Sequence, residues 1–97
     1  MELACGTGQF TFRLANKVKS WIATDFSLNM IEQAKKQDTK ENITFAVADA
    51  TCLKYKDNYF DVVVIANALH IMPNTEKALS EIYRVLKPNG ILFAPTF

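Results

Sequence analysis

Glycine, proline, cysteine and histidine are all scarce in this sequence, and each scarcity removes a class of protein. Three glycines and three prolines in 97 residues rule out a collagen-like or low-complexity chain. Two cysteines, Cys5 and Cys52, are too few for a disulfide scaffold and have no zinc-ligand neighbours. Free thiols in a reducing, cytoplasmic compartment are expected, and no metal site. Charge of one sign is missing as well, since eleven basic residues face ten acidic ones for a formal net charge of +1. That balance gives no electrostatic reason to bind nucleic acid or an anionic membrane. The longest apolar run, Val62 to Ala66, is far short of the roughly 20 residues that span a bilayer. The opening residues have neither a basic flank nor an apolar run, so no secretory signal is expected there.

What is present is a core. Hydrophobic residues make up 49% of the chain, too many for disorder, and the length suits one domain. Short apolar segments alternate with amphipathic ones, without repeat or linker. Glu2-Leu3-Ala4 reads as a strand stub running into Cys5-Gly6-Thr7-Gly8, followed by a helix with Phe10, Leu14, Ala15 and Val18 on one face. Trp21 to Thr24 reads as a second strand ending at Asp25. Ser27 is a good N-cap for a helix to about Gln37 that buries Met30, Ile31 and Ala34. A third strand, Asn42 to Ala48, ends at Asp49. Val62 to Ala66 is apolar throughout, as a central parallel strand covered on both faces should be. Asn74 can cap a helix whose buried stripe is Leu79, Ile82, Tyr83 and Leu86. Lys87-Pro88-Asn89-Gly90 should stop it, with the glycine free to take positive φ, before a fifth strand from Ile91 to Ala94. Strands alternating with helices in this way predict an open parallel sheet with right-handed crossovers.

Ligands of such sheets sit at the carboxyl ends of the strands, where the connections reverse direction. The candidate residues fall there. Gly6 and Gly8 let the backbone approach a ligand closely, and the helix after them offers unpaired N–H groups. On its own such a loop also fits a purely structural turn. Asp25 lies 19 positions after Gly6 (25 − 6), at the end of the next strand, where an acid can bridge two ribose hydroxyls. With Ser27 available as the cap, Asp25 is left for that role. Asp49 repeats the placement one strand further on, though alone it fits an ordinary solvated turn.

Together these residues carry a resemblance. Glu-Leu-Ala-Cys-Gly-Thr-Gly at 2–8 resembles the signature of the class I S-adenosylmethionine-dependent methyltransferases. Asp25-Phe26-Ser27 with Met30, Phe45 to Ala50, Phe60 to His70, and Glu81 to Leu92 are similar to later segments of the small-molecule branch, in order along the whole chain. The resemblance implies a Rossmann-like α/β sheet of order 3-2-1-4-5 and S-adenosylmethionine as cofactor. It implies that Glu2 orients the loop and that the backbone of Ala4, Cys5, Gly6, Thr7 and Gly8 borders the methionine portion. Asp25 would hold the ribose, Phe26 and Met30 would flank the adenine, Asp49 and the Ala50 backbone would read its edge, and Asn67 would lie beside the sulfonium. Ala4 departs from the pattern, standing where the family usually has its first glycine. A dinucleotide-binding reading, for NAD(P), fits less well because Thr11 stands where that fingerprint wants glycine.

The chain is expected to be a single, incomplete domain over 1–97, truncated after strand 5. Its fifth strand would then be an open edge available for self-association. A small-molecule acceptor is expected, with neither nucleic acid nor membrane as partner. His70, the sole histidine, is the candidate base if the acceptor arrives protonated. The alternative is a non-catalytic core that folds or oligomerises without activity.

Overall fold

The computed structural model describes residues 1–37 and 42–96. The run from Lys35 to Glu41 is mixed in sign and reads in the sequence as a solvated helix end; its part after Gln37 lies outside the described residues. Five strands form one parallel sheet of order β3-β2-β1-β4-β5. The strands are β1 (Glu2–Leu3), β2 (Trp21–Asp25), β3 (Ile43–Val47), β4 (Phe60–Ile65) and β5 (Leu86–Phe93). Among the described residues three α-helices accompany them: α1 (Thr11–Leu14), α2 (Leu28–Gln37) and α3 (Thr75–Val85). The expected order and parallel sense therefore hold. β1 is two residues long but central, with Glu2 level with Ala23 on one side and Val64 on the other.

Each face of the sheet has its own core. Leu3, Val63 and Ile65 pack with Ile82 and Val85 of α3 on one side. Ala23, Val64 and Ile43 pack with Ala15 and Ile31 of the α1–α2 side on the other. The caps foreseen at Ser27 and Asn74 are both made. Ser27 Oγ accepts from the Met30 N–H at 3.3 Å, and Asn74 Oδ1 accepts from the Lys77 N–H at 3.1 Å.

Four local expectations are corrected. First, the helix after the glycines is one α turn and one 3-10 turn, Ala15–Lys17. The Asn42 amide, from the far side of α2, takes the carbonyls of Ala15 and Val18 at 2.6 and 3.1 Å. Those acceptors are thereby withdrawn from a longer helix, and Val18 turns extended and lies exposed. Second, the buried stripe of α3 is Ala78, Ile82 and Val85, so Tyr83 faces solvent at 70% exposure. One residue is 100° of helix, enough to move a side chain from flank to open surface. Third, Met30 is 41% exposed. Ile31 and Ala34 alone anchor α2. Fourth, α3 passes directly into β5 with Leu86 already extended. Leu86 is level with Phe60 and Ile91 with Val62, so residues 87–90 bulge outward within the strand. Gly90 does not take positive φ. A Cβ there would press on the Leu86 side chain and on the carbonyls of Lys87 and Asp61, so glycine serves close approach rather than a left-handed turn.

Val62 lies 40% exposed, with Ile91 and Phe93 beside it at 61% and 47%. The β4–β5 half is thus covered on the α3 face and open on the other. This differs from the two-sided cover expected for the fourth strand.

Candidate functional site

The connections from β1 and β4 leave in opposite directions, and a cleft opens between their carboxyl ends. Two left-handed residues shape it. Ala4 follows β1 with φ 54° and Asn67 follows β4 with φ 57°. For a residue with a Cβ this conformation costs about 1–2 kcal/mol, and such strain gathers at sites where geometry matters more than stability. The alanine in place of the usual glycine is accommodated in that strained conformation. The Asn67 N–H donates to the Pro95 carbonyl at 2.9 Å, fixing the end of β4 against the segment after β5.

Gly6 and Gly8 also have positive φ, 57° and 97°. Above Gly6 there is open space, since an added Cβ would meet nothing within 4 Å, whereas at Gly8 it would strike the Phe12 ring. The Gly6 N–H donates to Asp25 Oδ2 at 2.9 Å, and the Ser27 N–H to Asp25 Oδ1 at 2.9 Å. Asp25 therefore ties the glycine loop to the start of α2 while its remaining lone pairs stay available. The cleft above, about 340 Å³, is bordered by Glu2, Ala4, Gly6, Thr7, Met30 and Asn67. With α1 a single turn, this cleft is shaped chiefly by the glycine loop, which Asp25 holds in place.

Glu2 lies beneath the loop, 2% exposed. Its Oε1 accepts from Trp21 Nε1 at 3.1 Å and from the Thr11 hydroxyl. Burial pushes its carboxyl above the usual range, against those hydrogen bonds. The same burial, with the charges of Glu2 and Asp25, pushes the Cys5 thiol up to about 12. Cys5 is thus a neutral packing group at pH 7, unsuited to nucleophilic attack.

The next strand ends carry the rest. Phe26, 76% exposed, Asp49, Cys52, Lys54 and Tyr55 line a second cleft of about 380 Å³. Asp49 Oδ1 accepts from the Thr51 hydroxyl at 2.7 Å and the Thr51 N–H at 2.9 Å, which lowers its carboxyl below the usual range. Ala50 is half-buried on the α3 side. His70 sits exposed on a 3-10 turn, Leu69–Ile71, and among the described residues its ring has no hydrogen-bond partner. The turn is held by the Thr75 hydroxyl, which donates to the Leu69 and Met72 carbonyls at 3.2 and 3.4 Å.

One element of the site escapes sequence reasoning. Arg84, on α3, gathers the segment leading from Asp49 to β4, bonding the Leu53 and Tyr55 carbonyls at 2.8 Å each. Its partners are 29 and 31 residues away in sequence. The only local signal is Glu81 three positions before it. Among the described residues no His/Cys/Asp/Glu cluster could hold a metal, and no helix is long and apolar enough to cross a membrane. A hollow of about 620 Å³ lies at the amino ends of the strands beside Met1, Trp21 and Val62, away from the glycine loop and both strand-end carboxylates.

Comparison with known proteins follows the same lines. A family model described as a methyltransferase domain matches residues 1–94. The chain is 43% identical to a demethylmenaquinone methyltransferase of Lactococcus lactis, over 93% of this chain and 38% of that protein. It thus spans about two-fifths of the length of such relatives. An S-adenosylmethionine-dependent methyltransferase from Mesorhizobium loti superimposes with TM-score 0.81 at 26% identity, over 94% of this chain and 43% of that one. The 4+2 cyclase SpnF superimposes with TM-score 0.86 at 32% identity, over 96% and 36%.

Proposed function

The chain belongs to the methyltransferase domain family, and on that premise we propose that it binds S-adenosylmethionine and directs its methyl group to a small, uncharged acceptor. The observation that carries the reading is the Gly6–Asp25 hydrogen bond. It joins a left-handed glycine loop, open above Gly6, to a strand-end carboxylate with lone pairs to spare. The residues fit the cofactor: Asp25 for the ribose hydroxyls, Phe26 and Met30 as apolar walls for the adenine, Asp49 and the Ala50 backbone for its edge. Glu2, held from below by Trp21 and Thr11, orients the loop along the methionine portion. Ala4, Cys5, Thr7 and Gly8 border that portion, and Asn67 lies toward the sulfonium. When bound, the cofactor supplies a methyl group on a good leaving group. What the protein must add is alignment and exclusion of water.

The acceptor side is apolar. From Ala66 to Met72 the polar side chains are Asn67 and His70, without a carboxylate, which suits a neutral ring better than a cationic amine. Relatives named demethylmenaquinone methyltransferase support a quinone-like acceptor. Attack on a sulfonium methyl needs an electron-rich ring, so the reduced, hydroxyl-bearing form fits, with His70 as the base that removes a ring hydroxyl proton. A His70→Ala protein with full turnover would remove that role. The two unpaired cysteines support a cytoplasmic setting, and residues 1–97 read as the cofactor-binding part of one domain. The exposed β5 residues Ile91 and Phe93 support self-association through that edge, and light scattering that gives a monomer at every concentration would defeat it.

Calorimetric titration with S-adenosylhomocysteine, with NADH beside it, tests the reading. Binding of the first alone is expected; the dinucleotide reading is disfavoured because Thr11 is fully buried with its hydroxyl on Glu2. The likeness to a protein titled a cyclase, a different chemistry on a similar fold, favours a second reading, a core that folds without transferring methyl. Binding without methylation of a quinol would select it.

A further inference from the structure

The crossing from β3 to β4 has no helix among its residues, and one side chain organises it. Arg84 Nε donates to Glu81 Oε2 at 2.8 Å. One terminal nitrogen donates to the Tyr55 carbonyl and to Asp57, both at 2.8 Å. The other donates to the Leu53 carbonyl at 2.8 Å and to Glu81 Oε1 at 3.2 Å. All five guanidinium donors are thereby engaged. Glu81 Oε1 also accepts from the Leu53 N–H at 2.8 Å, so both backbone groups of Leu53 are bound to α3. Its side chain is buried in the α3-side core. Immediately before it, the Cys52 N–H donates to the Asp49 carbonyl at 3.0 Å, and Asp49 and Cys52 form an isolated antiparallel bridge. The Asp49 turn is therefore joined by one peptide bond, Cys52 to Leu53, to a residue whose backbone is held on both sides by α3.

We propose that Arg84, with Glu81, is a positioning residue that sets base selectivity: it fixes the turn at 49–52 so that Asp49 meets a purine bearing a 6-amino group and rejects one bearing a 6-oxo group. The proposal rests on the reading of Asp49 given above. A 6-oxopurine puts an acceptor where the amine stood and a donor one atom away, at N1. A carboxylate free to slide recovers a hydrogen bond there, whereas one held in place faces the oxygen and loses its partner. Selectivity thus depends on how firmly the turn is held. Arg84 does not itself line the cleft and acts through Leu53 and Tyr55.

The test is calorimetric titration of the wild type, Arg84→Met, Arg84→Lys and Asp49→Ala with S-adenosylhomocysteine and its 6-oxo counterpart, S-inosylhomocysteine. The wild type should prefer the adenosyl ligand by about tenfold or more. Arg84→Met should cut that preference by at least about threefold. Arg84→Lys should do so too, since an ammonium cannot fork across these acceptors, and it carries the test if the Met variant does not fold. A merely structural role would lower the competent fraction and weaken both ligands by the same factor, leaving the ratio unmoved. An unmoved ratio in the Arg84 variants, with preference lost in Asp49→Ala, overturns the positioning role and leaves the reading of Asp49 standing. Preference retained in Asp49→Ala overturns that reading and this inference with it. A folded wild type that binds neither ligand overturns both together with the proposed function.

Discussion

Asp25 closes β2 and Asp49 lies two residues past the end of the neighbouring β3, and they are built differently. Asp25 commits an oxygen to each of two backbone N–H groups, one of them 19 residues away in the glycine loop. Asp49 commits one oxygen to Thr51, two residues on, and stands exposed. The first holds the loop in place and so is part of the fold. The second is a local turn whose position depends on Arg84. Two carboxylates proposed for one ligand can therefore differ in what their loss does to the protein.

Asp25→Ala should break the contrast most severely. Two N–H groups lose a charged acceptor, and the loop is freed from β2. Affinity for S-adenosylhomocysteine should fall at least about 100-fold by calorimetry, with a stability loss of about 1–3 kcal/mol by denaturant titration. A full-affinity variant would mean that Asp25 serves the loop alone. Asp49→Ala should weaken the same ligand by about tenfold, as loss of one charge-assisted hydrogen bond does, and leave the denaturation midpoint in place. A large drop in the midpoint would erase the distinction.

Glu2, beneath the Asp25-held loop, sharpens the contrast through pH. Its raised carboxyl means that the folded state holds the proton more tightly than the unfolded one. Wild-type stability relative to Glu2→Gln should therefore fall as pH rises from the ordinary value of 4.5 through the raised folded value, then level off. A difference flat across that window, in denaturant midpoints, would show that the site does not resist ionisation. The smallest effect belongs to Ala4→Gly. Relief of the left-handed strain outweighs the added freedom of the unfolded chain, and stability should rise by about 0.5–1 kcal/mol. A loss of stability would mean that the Ala4 methyl packs usefully.

The sheet was readable because its evidence is local: apolar strands, the Ser27 and Asn74 caps, and glycines and acids at strand ends. Where reading failed, the deciding partner was remote. Nothing near Val18 reveals that Asn42 will take the carbonyls of the preceding turn. Nothing near Tyr83 settles which of two adjacent helical faces meets β4 and β5, because apolar spacing fixes the stripe only to within one residue. Gly90 was legible as a special position but not as to why, since the close neighbours come from Leu86 and Asp61. The strand-end acids were legible as candidates, while the bonds that make Asp25 structural and Asp49 dependent were not. Arg84 was the largest omission, because most of its partners, the Leu53 and Tyr55 carbonyls and Asp57, are supplied by another segment.

The helix-free crossing before β4 also bears on timing. Its residues lack the helical ladder that protects α2 and rely on scattered bonds to Arg84 and Glu81 and within the Asp49 turn. Segments of this kind open at low free energy, well before the sheet does. Amide protons of residues 50–57 should accordingly exchange faster than those of β2 or β4, and bound S-adenosylhomocysteine should slow them. Equal exchange across all these segments would count against it. If the crossing does open first, departure has a direction: the purine comes free while the ribose is still held, and the residence time of the ligand is set by how often one loop breathes.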